Sequence, residues 1–292
     1  MVFHPPVQII AKAGDAGKYK TGLPAWNMLL RGFMAGAYIA MGGALATVCS
    51  TGIMATDATL RYGTASAGFA QLLLGATFPV GLIIIVLTGA ELFTGDAMLA
   101  PMAAFIHKIS WMNVLNLWVW VYIGNLIGSI WYAYLMAYGP FSAFDATGAA
   151  TVTAFGTRAI AIAAAKTSYV GTAGMWSAFL KAIGCNWLVN LAILLGICAD
   201  DLIGKFFGIW FPIMAFVSSG FEHSVANMYF IPAGIFTQGF ITDPTKIIAS
   251  VNWVTMWTSN LIIVTIGNIV GALFFVGVLY WVAFKKEIAA LK

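Results

Sequence analysis

The residues of this chain best placed to do chemistry gather at Gly220-Phe221-Glu222-His223-Ser224-Val225-Ala226-Asn227. A carboxylate and an imidazole stand side by side there, and neither flank, residues 209–219 or 228–235, carries a charge. An ionisable pair between two such flanks belongs near the middle of a bilayer, where charge is costly and is kept for a pathway. A histidine can give or take a proton near neutral pH, so the pair can meet an anion or relay a proton.

A second polar interruption, Gly89-Ala90-Glu91-Leu92-Phe93-Thr94, matches the first, and Ile123-Gly124-Asn125-Leu126-Ile127-Gly128 is answered by Ile266-Gly267-Asn268-Ile269-Val270-Gly271. The chain therefore reads as two copies of one unit, each with three spans and one break. An odd number of spans per copy inverts the second, and the two breaks then face each other across the midplane. Unwound backbone is tolerated at that depth only where protein buries it or it lines a cavity. Each break also begins a new half-helix, whose free N–H groups favour an anion. Thr94 is expected at one such end and His223 at the other.

The elements that must position these residues are apolar. The composition is 61% hydrophobic and 8% charged, far below the roughly 25% charged share of soluble domains. The expected fold is an all-α membrane protein with six transmembrane helices, at residues 26–54, 68–106 with a break near Thr94, 111–138, 176–199, 202–235 with the Glu-His break, and 254–284. Each reaches the roughly 20 residues that a spanning helix needs. Residues 1–25 form an N-terminal segment without a cleavable signal, 26–284 the transport domain, and 285–292 a tail. In the connection 139–172, residues 155–165 are expected as a short surface helix.

Of the 14 Lys and Arg, Arg61, Arg158, Lys166, Lys181 and Lys246 fall on one side and nine on the other. The majority side is the cytoplasm, which places both termini inside. The small net charge, +4, is spread along the chain and marks no nucleic-acid surface. Cys49, Cys185 and Cys198 lie in apolar segments without a C-x-x-C pair and are expected as free, buried thiols. The Gly-x-x-x-Gly pairs beginning at Gly32, Gly124 and Gly267 are helix-packing faces, and Trp26, Trp111, Tyr138, Trp176 and Trp281 sit at span ends as interfacial anchors.

The stretches at 220–227 and 89–94, together with Cys185-Asn186-Trp187-Leu188-Val189, resemble the signature segments of the formate/nitrite transporter family, and the likeness covers essentially the whole chain. It implies an aquaporin-like inverted repeat with broken second and fifth helices, assembled as a homopentamer with one pore per protomer. It further implies that Phe78, Leu82 and Leu92 form one dry constriction and Phe216 with Val189 the facing one. Thr94, in the loop between the halves of the second span, and His223 would meet the substrate between them. Glu222 and Asn186 would stand behind the pair and Asn227 would orient the broken segment. Glu91 belongs with this supporting group. Lys166, and Lys181 by its reach, would draw anions into the outer vestibule.

The function expected is a pH-dependent channel moving formate across the plasma membrane, with His223 donating a proton as the anion approaches. Nitrite and hydrosulfide remain alternatives, as do proton symport and plain anion conduction. No enzyme activity, cofactor or metal is expected. A neutral-solute pore has little use for a mid-membrane Glu-His pair, and a haem protein would need paired deep histidines, whereas of His4, His107 and His223 only the last is deep.

Overall fold

A computed structural model describes residues 3–53 and 66–291. Arg61 and Lys292, used in the charge count, and Met54, at the expected end of the first span, lie outside the described residues. The protein is mostly helical: α1 Pro6–Thr21, α2 Ala25–Ser50, α3 Ser66–Thr77, α4 Val80–Thr88, α5 Phe93–Phe105, α6 Trp111–Tyr138, α7 Ala154–Lys166, α8 Gly171–Cys198, α9 Leu202–Ser218, α10 Ser224–Gln238 and α11 Trp253–Ala290. A small antiparallel hairpin, β1 Ser142–Phe144 and β2 Ala150–Val152, precedes α7.

Among the described residues, five stretches are long and apolar enough to cross a membrane, at 25–50, 68–88, 111–138, 171–198 and 253–290. Helix α9 is apolar but only 17 residues long, about 25 Å against a hydrocarbon core of about 30 Å. The stretch expected at 202–235 with a Glu-His break consists of two helices, α9 and α10, parted by residues 219–223.

Local chemistry explains the boundaries. Pro5 and Pro6 open α1, where a missing N–H costs nothing. Ser110 caps α6, accepting from the Asn113 N–H at 3.3 Å while Asn113 bonds back to the Ser110 N–H. Thr153 caps α7 through the Gly156 N–H. In α11, residues 256–261 and 273–278 widen to π-helix, a form that recurs at functional sites.

Two glycine-faced helix pairs anchor the fold. A Cβ on Gly36 would stand 2.1 Å from the Asn125 carbonyl oxygen, and one on Gly128 2.0 Å from that of Phe33, so α2 and α6 touch backbone to backbone. A Cβ on Gly267 or Gly271 would stand 2.8 or 2.5 Å from the carbonyl oxygens of Phe179 and Ile183, so α11 and α8 approach nearly as closely. These faces work within one protomer. Trp26, Trp111, Tyr138 and Trp176 are exposed at helix ends, as interfacial anchors require. The three cysteines are free; Cys185 is buried, but Cys49 and Cys198 are only half-buried, because both lie in the last turn of their helices.

Candidate functional site

Each break is built the same way. Gly89 and Gly220 have φ of +75° and +69°, a left-handed turn that ends the preceding helix and suits glycine. The Glu91 N–H then donates to the Arg31 carbonyl and the Glu222 N–H to the Lys181 carbonyl. Asn125 clasps the first break: its Nδ2 donates to the Gly32 and Glu91 carbonyls at 2.8 and 2.9 Å, and its Oδ1 accepts from the Phe93 N–H at 2.9 Å. Asn268 clasps the second, with Nδ2 donating to the Ala182 and Glu222 carbonyls at 2.8 and 2.9 Å and Oδ1 accepting from the Ser224 N–H at 2.8 Å. Both asparagines are fully buried. They supply the partners that unwound backbone needs away from water. The sequence marks them only as members of the repeated Ile-Gly-Asn motif.

The clasps bring the two half-helices together. Thr94 Oγ1 lies 2.8 Å from His223 Nε2, and both side chains are buried. Thr94 is in the first turn of α5, not in the loop expected from the sequence, because Leu92 already takes the capping position. His223 caps α10, its Nδ1 accepting from the Ala226 N–H at 3.0 Å. That bond leaves the ring neutral with its proton on Nε2, which donates to Thr94. Behind the pair, Asn186 and Asn190 both donate to the Thr94 carbonyl at 3.1 Å.

The apolar residues regroup relative to expectation. Ile39, Phe78, Leu82, Leu92, Val189, Ile213, Phe216 and His223 line one space too narrow for a water molecule. Phe78 and Phe216, expected in opposite constrictions, touch edge to face at 5.9 Å and together face a vestibule of about 300 Å³ under α7. Leu92 instead faces a second vestibule of about 220 Å³ under α1. Phe230 stacks on Phe78 from the α7 side, a contact that spacing along one helix does not announce.

Each vestibule holds a buried glutamate paired with a lysine from the helix packed above it. On the α1 side Lys20 pairs with Glu91, and with Asp96 at 3.1 Å, while Arg31 lies 3.7 Å from Glu91. Burial draws the Lys20 ammonium down, but Asp96 and Glu91 outweigh it and hold its pKa above the ordinary lysine range. On the α7 side Lys166, which lines the vestibule as the sequence led one to expect, donates to Glu222 Oε1 at 2.7 Å and is its ion-pair partner. Tyr169 also donates to Oε1, at 2.8 Å, and burial together with Glu222 pushes its phenol upward, so it keeps its proton. Asn227 donates to Glu222 Oε2 and to Asn260 Oδ1, at 2.7 and 2.8 Å, and Asn260 Nδ2 donates to the Lys166 carbonyl at 2.9 Å. Asn260 lies in the first π segment, a position no sequence pattern marks.

The arrangement is thus a dry neck with one polar pair, reached from two charged vestibules. A family model described as Formate/nitrite transporter matches residues 7–282. The chain belongs to the formate/nitrite transporter family. Among its relatives in that family, the probable formate transporter of Methanothermobacter thermautotrophicus is 41% identical over 297 residues, covering 98% of each chain. The formate channel BtFdhC of Bacillus thuringiensis is 37% identical over the whole of both chains. A solved structure of a pentameric formate channel with formate bound superposes with a TM-score of 0.73 at 33% identity, covering 89% of this chain and 98% of that one. The formate/nitrite transporter family consists of multi-pass membrane channels and transporters, and the apolar helices here fit that class.

Proposed function

We propose that this protein is a formate channel in which the anion leaves a charged vestibule, enters the dry neck and meets the Thr94–His223 pair. The observation that carries this reading is the 2.8 Å contact between Thr94 Oγ1 and Nε2 of His223, whose ring lines a space too narrow for water. A bare carboxylate is costly in such a neck. The likeness to formate transporters and to a formate-bound channel favours formate over nitrite.

The resting His223 is neutral, so the pore has no fixed charge at its narrowest point. An anion beside the ring favours a second proton, which must take Nδ1 from the Ala226 N–H at a cost of about 1 kcal/mol for the lost cap. Transfer of the Nε2 proton to the carboxylate makes the neutral acid and leaves the proton on Nδ1. The ring, which also lines the α7-side vestibule, loses the Nδ1 proton to water there and takes one back from water at Nε2, which restores the cap; of the two protons it takes from water, one leaves on the acid and one returns to water.

The same reading gives the chain six spans in an aquaporin-like inverted repeat. In it α3–α5 form the broken second span and α9–α10 the broken fifth, with residues 26–284 as the transport domain. The matched clasps of Asn125 and Asn268 support this. It also gives a homopentamer in the plasma membrane with both termini, 1–25 and 285–292, in the cytoplasm, in line with the pentameric neighbour and the charge count. Uptake of labelled formate into liposomes holding the purified protein, with nitrite and hydrosulfide as competitors, tests the substrate. Formate should enter and be the preferred anion; a folded protein that moves no formate would sink the reading.

A further inference from the structure

Among the described residues, three cations line the α7-side vestibule: Arg158, Lys166 and Lys181. Two are already engaged. Lys166 is paired with Glu222, and Lys181 Nζ donates to Tyr169 Oη at 3.1 Å and lies 5.1 Å above the centre of that ring. Tyr169 passes the contact on to Glu222. Arg158 is different: among the described residues its buried Nε has no hydrogen-bond partner and it makes no ion pair. It stands two turns before Lys166 on the face of α7 that lines the vestibule with Ile162. Burial lowers its pKa, as for a cation held without a counter-ion.

A buried guanidinium N–H without an acceptor is costly unless a ligand supplies one. The Nε–H and one terminal N–H of a guanidinium form a planar fork that matches two oxygens on one atom, a fit that lysine cannot reproduce. We propose that Arg158 is a capture site for two-oxygen monoanions, carboxylate and nitrite, holding them bidentately in the vestibule before the Phe78–Phe216 contact. The proposal rests on the reading of this path as an anion route and adds a selectivity step to it. Hydrosulfide, with one donor-accepting atom, gains only the charge of Arg158 and not its fork.

The test compares wild type with Arg158→Lys in liposomes, measuring half-saturation and maximal rate for formate and for hydrosulfide. The expected result is a rise of about tenfold in formate half-saturation, with the maximal rate within about twofold and hydrosulfide half-saturation little changed. An unmoved formate half-saturation overturns the proposal, and so does an equal rise for both anions, which would mean charge without a fork. A wild-type protein that moves no formate at all counts against the proposed function instead. A second measurement needs no variant: modification of Arg158 by an arginine-selective dicarbonyl, followed by mass spectrometry. Formate should protect Arg158 while chloride does not, and absence of protection by formate overturns the proposal.

Discussion

His223 caps the second half-helix with one ring nitrogen and reaches Thr94 with the other, at 3.0 Å to the Ala226 nitrogen and 2.8 Å to Thr94 Oγ1. One side chain thus joins the two breaks, and the state of its Nδ1 is tied to the start of α10. The start of α10 and the Thr94–His223 pair are one unit.

Thr94 is the hydroxyl of that unit. Thr94→Ser keeps the oxygen and should transport formate within about threefold of wild type, whereas Thr94→Val keeps the shape but removes the buried partner of His223, worth about 1–3 kcal/mol. A loss of tenfold or more in formate flux for Val, with the same elution profile in detergent, is expected on that basis. Equal flux for Ser and Val would show that the hydroxyl takes no part.

Asn125 and Asn268 should matter equally, because each makes the same three hydrogen bonds in its own half. Asn125→Ala and Asn268→Ala each strand buried carbonyls and an N–H, a loss of about 3 kcal/mol or more. Thermal unfolding in detergent should show a similar drop for both. A large drop for one alone would break the correspondence between the halves.

Half-buried Lys166 pairs with buried Glu222, and removing the lysine leaves a buried carboxylate without its ion-pair partner. Lys166→Met is expected to destabilise by about 3–5 kcal/mol, and Glu222→Gln added to it should recover part of the loss. The melting temperatures of the two single variants and the double variant give the coupling directly. Additive losses would mean that the pair does not interact.

Gly36 and Gly271 hold their helix pairs at backbone contact. Gly36→Ala and Gly271→Ala should each cost up to about 3 kcal/mol through overpacking. Gly68, where a Cβ meets nothing within 4 Å, is the control; alanine there should be neutral or stabilise by up to about 1 kcal/mol. Melting curves of the three variants check this, and equal effects at Gly36 and Gly68 would contradict the close approach.

Much of this was legible in the sequence because membrane helices obey few rules. Helix α6 falls at 111–138 as expected, since its apolar run ends at Ser110 and Gly139. The Gly-bearing breaks at 89 and 220 announce themselves against uncharged flanks. The positions of Thr94 and His223 follow from the repeat, although Leu92 moves Thr94 from loop to helix. What stayed hidden depends on contact between distant segments. Phe78 meets Phe216 across the neck, and no spacing within one helix says so. Arg158 falls within the helix expected at 155–165 and Tyr169 just after it, but what either side chain faces depends on other segments, and Asn260 bonds Glu222 from a π segment that sequence does not mark.

The measurement that bears most directly on the central claim is formate uptake into liposomes with and without an inward proton gradient, for wild type and His223→Asn. Asparagine keeps a donor toward Thr94 but cannot take a second proton. Wild type should be stimulated by the gradient, while the Asn variant should pass formate at a rate the gradient leaves unchanged. Full stimulation in His223→Asn would contradict the claim, because the proton would then reach formate without the ring.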